Sequence, residues 1–253
     1  MGFAMIDREE IRAFARDWGV GPPMILKDHL VSHLLRSLEA VPGVVFFGGT
    51  ALSRTHLKSR RLSEDVDLYL EPERPATRDE ISTSLQAGTR RDFPDLRVEQ
   101  VSRVSDVTTH DVTFRDVSVK LQIVGDRSEH RAYAVVETAV ALHYSDLPPS
   151  AQLAVPTIPT FGAMKLGAYE DRHAARDLFD LAGLVAISGL AEESISILRR
   201  VRGAGPVKYE YQDRLRPTDG EWQAELGHQT RDAGDPQQAL ETVRAVLQNM
   251  RVW

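Results

Sequence analysis

The chain has 253 residues, 42% hydrophobic and 27% charged, with a formal net charge of −6, which is ordinary for a folded protein with one large core or two modest ones. It contains no cysteine, which excludes disulfides, a thiol nucleophile and cysteine-zinc sites. The apolar N-terminal stretch is too short for a signal peptide, and no run approaches the ~18 apolar residues that cross a bilayer, so the expected location is cytoplasmic.

Asp7 and Glu10 have the spacing of a capping box, and Ile11, Phe14, Ala15 and Trp18 follow at helical intervals, predicting a helix that ends at 19–23. A second helix, about 23–40, presents Leu26, Leu30, Leu34 and Leu38 as a core stripe, with Val31 and Leu35 beside it. His29 and His33 sit one turn apart on that helix; with no third ligand nearby in sequence, they read as a solvated face. Val44 to Phe47 reads as a buried strand, Gly48 and Gly49 as a sharp turn, and Thr50 as the cap of the next helix. On the following strand Asp65 and Asp67 alternate with Val66, Leu68 and Leu70, so both carboxylates share one face. Residues 78–91 predict a polar helix, and alternating runs at 96–104 and 111–124 predict strands. Pro148, Pro149, Pro156 and Pro159 mark residues 148–160 as an irregular linker. Beyond it the pattern is helical: 161–189, then 191–202, a break at 203–206, and a last helix opened by Asp235 and Pro236 that buries Leu240, Val243, Leu247 and Met250.

The chemistry concentrates between Gly48 and Leu70. A glycine turn that opens a helix leaves free amides aimed outward, and with the helix dipole these favour phosphate. Two carboxylates on one strand face can converge on a divalent cation, and hard oxygen ligands of this kind suit Mg²⁺, whose shell is completed by substrate phosphates and water. Taken singly, each feature reads as a common turn or a solvated edge. In strand, turn, helix, strand order they point to an NTP and Mg²⁺.

This combination resembles the nucleotidyltransferase superfamily. The longer match, Gly48-Gly49-Thr50-Ala51-Leu52 and then Arg61-Leu62-Ser63-Glu64-Asp65-Val66-Asp67-Leu68, is similar to the AbiEii/AbiGii toxin family, which includes the mycobacterial MenT-type toxins. A second stretch is also similar to that family: Lys165, a downstream Arg172, then Arg176-Asp177 and Asp180-Leu181. The resemblance implies an α/β fold, with residues 1–147 as a nucleotidyltransferase-type mixed sheet with N-terminal helices and 161–253 as a helical half closing the cleft. It further implies that Asp65 and Asp67 hold the metal, that Gly48, Gly49, Thr50, Ser63 and Lys165 bind the nucleotide, that Asp180 joins the catalytic group, and that Arg172, Arg176 and Asp177 brace it. A straight helix from 165 to 180 would separate Lys165 from Asp180 by roughly 22 Å. A break between Arg172 and Arg176 is therefore expected, although His173, Ala174 and Ala175 include no glycine or proline.

One position departs from the superfamily pattern. A third carboxylate is often supplied by a later strand, and here Gln122 stands in its place; Asp116, Asp126 or Asp180 could substitute, and Asp180 is the favoured candidate. MenT-like members imply transfer of a nucleoside monophosphate to the 3′ end of tRNA, inhibition of growth, and a cognate antitoxin. With a net charge of −6, RNA binding must rely on local patches. Arg54, Lys58, Arg60 and Arg61 form one candidate patch beside the metal motif, and Arg199, Arg200, Arg202 and Lys208 another. The rival readings are an aminoglycoside-type nucleotidyltransferase and a catalytically silent nucleotide- or partner-binding protein.

Overall fold

Val44–Phe47 (β1) is a short apolar run that pairs antiparallel with Asp65–Leu70 (β2), placing the strand that feeds the glycine turn beside the strand that carries the acids. Phe47 lies opposite Asp67, and β2 pairs in parallel with Val117–Val124 (β5), where Gln122 lies opposite Asp67. Val107–Phe114 (β4) and Arg97–Val104 (β3) extend the sheet antiparallel, giving the order β1-β2-β5-β4-β3. The computed structural model describes residues 6–58, 60–202 and 215–250. The predicted break at 203–206 and Lys208 lie outside them.

Helices cover this sheet. Arg8–Trp18 (α1) opens on the Asp7 side chain, which accepts from the Glu9 amide. Glu10 does not close a capping box; its carboxylate instead accepts from the Ser145 amide and hydroxyl. Pro22–Leu38 (α2) buries Leu30, Val31, Leu34, Leu35 and Leu38 against the sheet and against Arg78–Thr89 (α4). Between the sheet strands β1 and β2 runs Gly48–Thr55 (α3).

The stretch expected to be an irregular linker is largely a strand. Ser150–Pro156 (β7) pairs antiparallel with Val135–Ala141 (β6), with Ala151, Leu153 and Val155 buried on one face. Pro149 and Pro156 bracket this strand, at positions where a missing N–H costs little. Ile158–Arg172 (α5) then runs to a left-handed residue, His173 (φ 50°), and Ala175–Ala186 (α6) starts a new direction. The chain therefore turns where the distance between Lys165 and Asp180 requires it. Glu192–Arg202 (α7) packs on α5, while Asp219–Leu226 (α8) and Pro236–Asn249 (α9) pack on α6. Among the described residues, no helix is long and apolar enough to cross a membrane.

Candidate active site

The end of β1 delivers the chain to Gly48 with φ +80°, a left-handed conformation that favours glycine. A Cβ there would lie 2.3 Å from Asp67 Oδ2, so the turn and the carboxylate touch with no room for a side chain between them. At Gly49 a Cβ would fall 2.5 Å from Arg61 Nη2 and 3.7 Å from Lys165 Nζ. Glycine at both positions thus brings the turn, the acid strand and α5 together. Gly48, Gly49, Asp67, Gln122, Lys165, Arg172 and Asp177 line one cleft of about 630 Å³, a size usual for a small-molecule site.

Behind the cleft a chain of buried charges fixes these positions. Lys165 Nζ donates to Asp177 at 3.0 Å and pairs with Asp180 at 2.7 Å. Arg61 grips Asp180 with two hydrogen bonds of 2.9 and 2.8 Å, and Arg172 grips Asp177 with two of 2.6 and 3.1 Å. Burial works against each charge, yet the partners prevail. Asp180 is held down at about 2 by Arg61 and Lys165, Asp177 is lowered by Lys165 and Arg172, and Lys165 is raised by Asp180 and Asp177. The two metal-motif acids behave in the opposite way. Burial and the neighbouring Asp65 push Asp67 up to about 6, and burial raises Asp65 against the pull of Lys120. Two partly buried carboxylates with raised affinity for a proton, and with no ion pair to a cation among the described residues, form a donor set that a divalent ion would satisfy.

Several expected roles change. Asp180 is 2% exposed, both its oxygens accept from Arg61 and one also pairs with Lys165, so it ties those two cations together behind the cleft. Asp116 lies at the turn between β4 and β5, and exposed Asp126 pairs with Arg131, so the position beside Asp67 belongs to the neutral Gln122. Thr50 does not cap α3. Its hydroxyl is buried, bonded to the Asp65 carbonyl and the Ser63 hydroxyl, so Thr50 and Ser63 clamp the start of β2 and do not line the cleft, whereas Gly48 and Gly49 do.

The first basic patch does not form a surface. Arg54 is 2% exposed and reaches Asp28 at 2.6 Å, Arg61 is 3% exposed on Asp180, and Arg60 lies 4.6 Å over the Phe179 ring. Of that group only Lys58 is exposed. Of the second, Arg199 and Arg200 are exposed and Arg202 lines the cleft. Arg176 sits at the rim beside Glu225. Sequence reasoning missed the cleft's other wall, Arg127, Glu129, His130 and Tyr133, carried by a 3-10 turn over Ser128–Ala132. Its one sequence signal is the mixture of basic and aromatic residues after β5, a segment with no periodicity to mark it.

The pattern of the nucleotidyl transferase AbiEii toxin family, of the type IV toxin–antitoxin systems, matches residues 32–249. The chain belongs to this family. As an AbiEii toxin it is a nucleotidyltransferase. Its fold is similar to that of MenT4, a nucleotidyltransferase toxin from Mycobacterium tuberculosis H37Rv, with a TM-score of 0.65 and 19% identity over 95% of this chain and 88% of that one. It is also similar to JHP933 from Helicobacter pylori, with a TM-score of 0.59 and 18% identity over 91% and 93% of the two chains. No curated protein sequence matches it. The AbiEii match spans the glycine turn, both aspartates and the paired helices α5 and α6; of the two aspartates Asp67 lines the cleft, and Asp65 lies two residues before it on β2.

Proposed function

We propose that this toxin transfers a nucleoside monophosphate from an NTP to the 3′ end of a tRNA, releasing pyrophosphate and so blocking translation. The supporting observation is the meeting of Asp67, the Gly48–Gly49 turn and Lys165 in one cleft. Asp65 and Asp67 would hold Mg²⁺, which supplies charge neutralisation at the phosphates. The turn amides at the start of α3 orient the triphosphate. Lys165 has three N–H donors; Asp177 and Asp180 engage two, leaving one for a phosphate oxygen. Arg172, 61% exposed at its side chain, braces Asp177 and adds positive charge at the mouth. Catalysis then rests on positioning and electrostatics, as phosphoryl transfer generally does. A cognate antitoxin is the expected partner, and the cytoplasm is where the acceptor resides.

The test is incubation of the purified chain with each labelled NTP, Mg²⁺ and total tRNA. Label on tRNA 3′ ends that disappears with Asp65→Ala is the expected outcome. Label on an added aminoglycoside, or on nothing, overturns the tRNA reading.

A further inference from the structure

Away from the cleft, His29 and His33 do not form a solvated face. They are 1% and 4% exposed, and a third group, Asp146, meets them from 113 residues further along the chain. His29 Nε2 lies 2.8 Å from Asp146 Oδ2, His33 Nε2 lies 3.2 Å from the same oxygen, and the two Nε2 atoms are 3.2 Å apart. Three lone-pair atoms thus form a nearly equilateral triangle. A tetrahedral ion about 2.0–2.1 Å from each ligand spaces its ligands by ~3.3 Å, so the triangle approximates one face of such a shell. We propose that His29, His33 and Asp146 form a second cation site, selective for Zn²⁺ and separate from the Asp65 and Asp67 pair.

The surroundings have the features such a site needs. Two imidazoles and one carboxylate suit zinc, whereas an all-oxygen set would suit magnesium. His33 Nδ1 lies 3.8 Å from Asp92 Oδ2, beyond hydrogen-bond distance but close enough for the carboxylate's charge to favour the tautomer that carries its proton on Nδ1 and leaves Nε2 free to ligate. Phe93 and Tyr144 wall the imidazoles, with ring centres 4.9 Å from His33 and 4.8 Å from His29 respectively. The Asp146 side chain is 30% exposed, which gives an ion an entry path from solvent. The site would tie α2 to the segment after β6. That segment also carries Tyr144, whose hydroxyl donates to Asp28 at 2.9 Å, and Asp28 in turn holds Arg54 of α3. Zinc would therefore stiffen the support beneath the glycine turn while standing outside the cleft.

The test uses the full chain stripped with chelator and titrated with Zn²⁺ by calorimetry and with Co²⁺ by visible absorption. One equivalent of Zn²⁺ at submicromolar affinity, with tetrahedral Co²⁺ bands and a rise in melting temperature, is expected for wild type and for Asp67→Asn. Asp146→Asn, at a partly exposed position, should weaken binding by more than ~100-fold and abolish the melting shift, and Asp92→Asn should weaken it by roughly 10-fold. The proposal fails if no equivalent binds, if Asp146→Asn binds like wild type, or if only Asp67→Asn removes the site.

Discussion

Asp67 shows how much of the site is decided by single residues. Its neighbours are a glycine that could carry no side chain, a second acid two residues away, and Gln122, a neutral residue where another acid would have repelled it. With its carboxyl pushed up to about 6 from an ordinary 3.8, the folded chain keeps a proton between those values that the unfolded chain has released. Stability therefore falls as pH rises through that window, and the cost is fully present above about 6. Asp67→Asn removes the charge. The variant should melt several degrees above wild type at pH 7.5 without divalent ions, an effect of up to about 3 kcal/mol, and the two should converge below about pH 4. Millimolar Mg²⁺ should narrow the gap by stabilising wild type alone. Thermal melts across pH check this, and a variant no more stable than wild type at any pH would remove the electrostatic account of the site.

Among the elements, those with strong local signals were legible in the sequence and those shaped by distant partners were not. The alternation of β5 announces itself because one face is buried, and α2 announces itself by its leucine stripe, although the helix is buried on nearly every side, His29 and His33 included. β7 was hidden because its prolines look like breakers; only its pairing with β6 shows that they bracket a strand. The burial of Arg54 and Arg61 was equally hidden, since their partners Asp28 and Asp180 lie 26 and 119 residues away. The turn between α5 and α6 is an intermediate case, required by distance yet unmarked by any breaker. His173 makes it by adopting φ 50° and ψ 32°, a left-handed state that costs an ordinary residue about 1 kcal/mol. His173→Gly should therefore stabilise the chain by about 0.5–1 kcal/mol, less whatever the ring contact with Tyr169 at 5.5 Å contributes. Transfer activity should be unchanged, because Lys165 and Asp177 keep their places. Paired melting and activity measurements decide it; a loss of both would mean that the imidazole has a role in the site.

For the whole molecule, the proposed tRNA transfer requires a polyanionic acceptor to approach a chain of net charge −6. Arg54, Arg60 and Arg61 are spent on internal packing, so besides the buried Lys165 the described cleft lining offers Arg127, Arg172 and Arg202, each with an acidic partner of its own. About three phosphate contacts at ~0.7 released counterions each give a salt slope near −2, so tRNA affinity should drop roughly 20-fold between 50 and 200 mM salt. A repressor-like slope several times steeper would require a basic surface that the described residues do not present. If NTP binding rests on the buried Lys165 and the turn amides, as proposed, it should change much less over the same range, because pairs removed from water are screened weakly. Measuring both affinities by fluorescence anisotropy against salt separates the two contributions. An acceptor affinity that ignores salt would point to a small neutral acceptor and against RNA, whatever the nucleotide does.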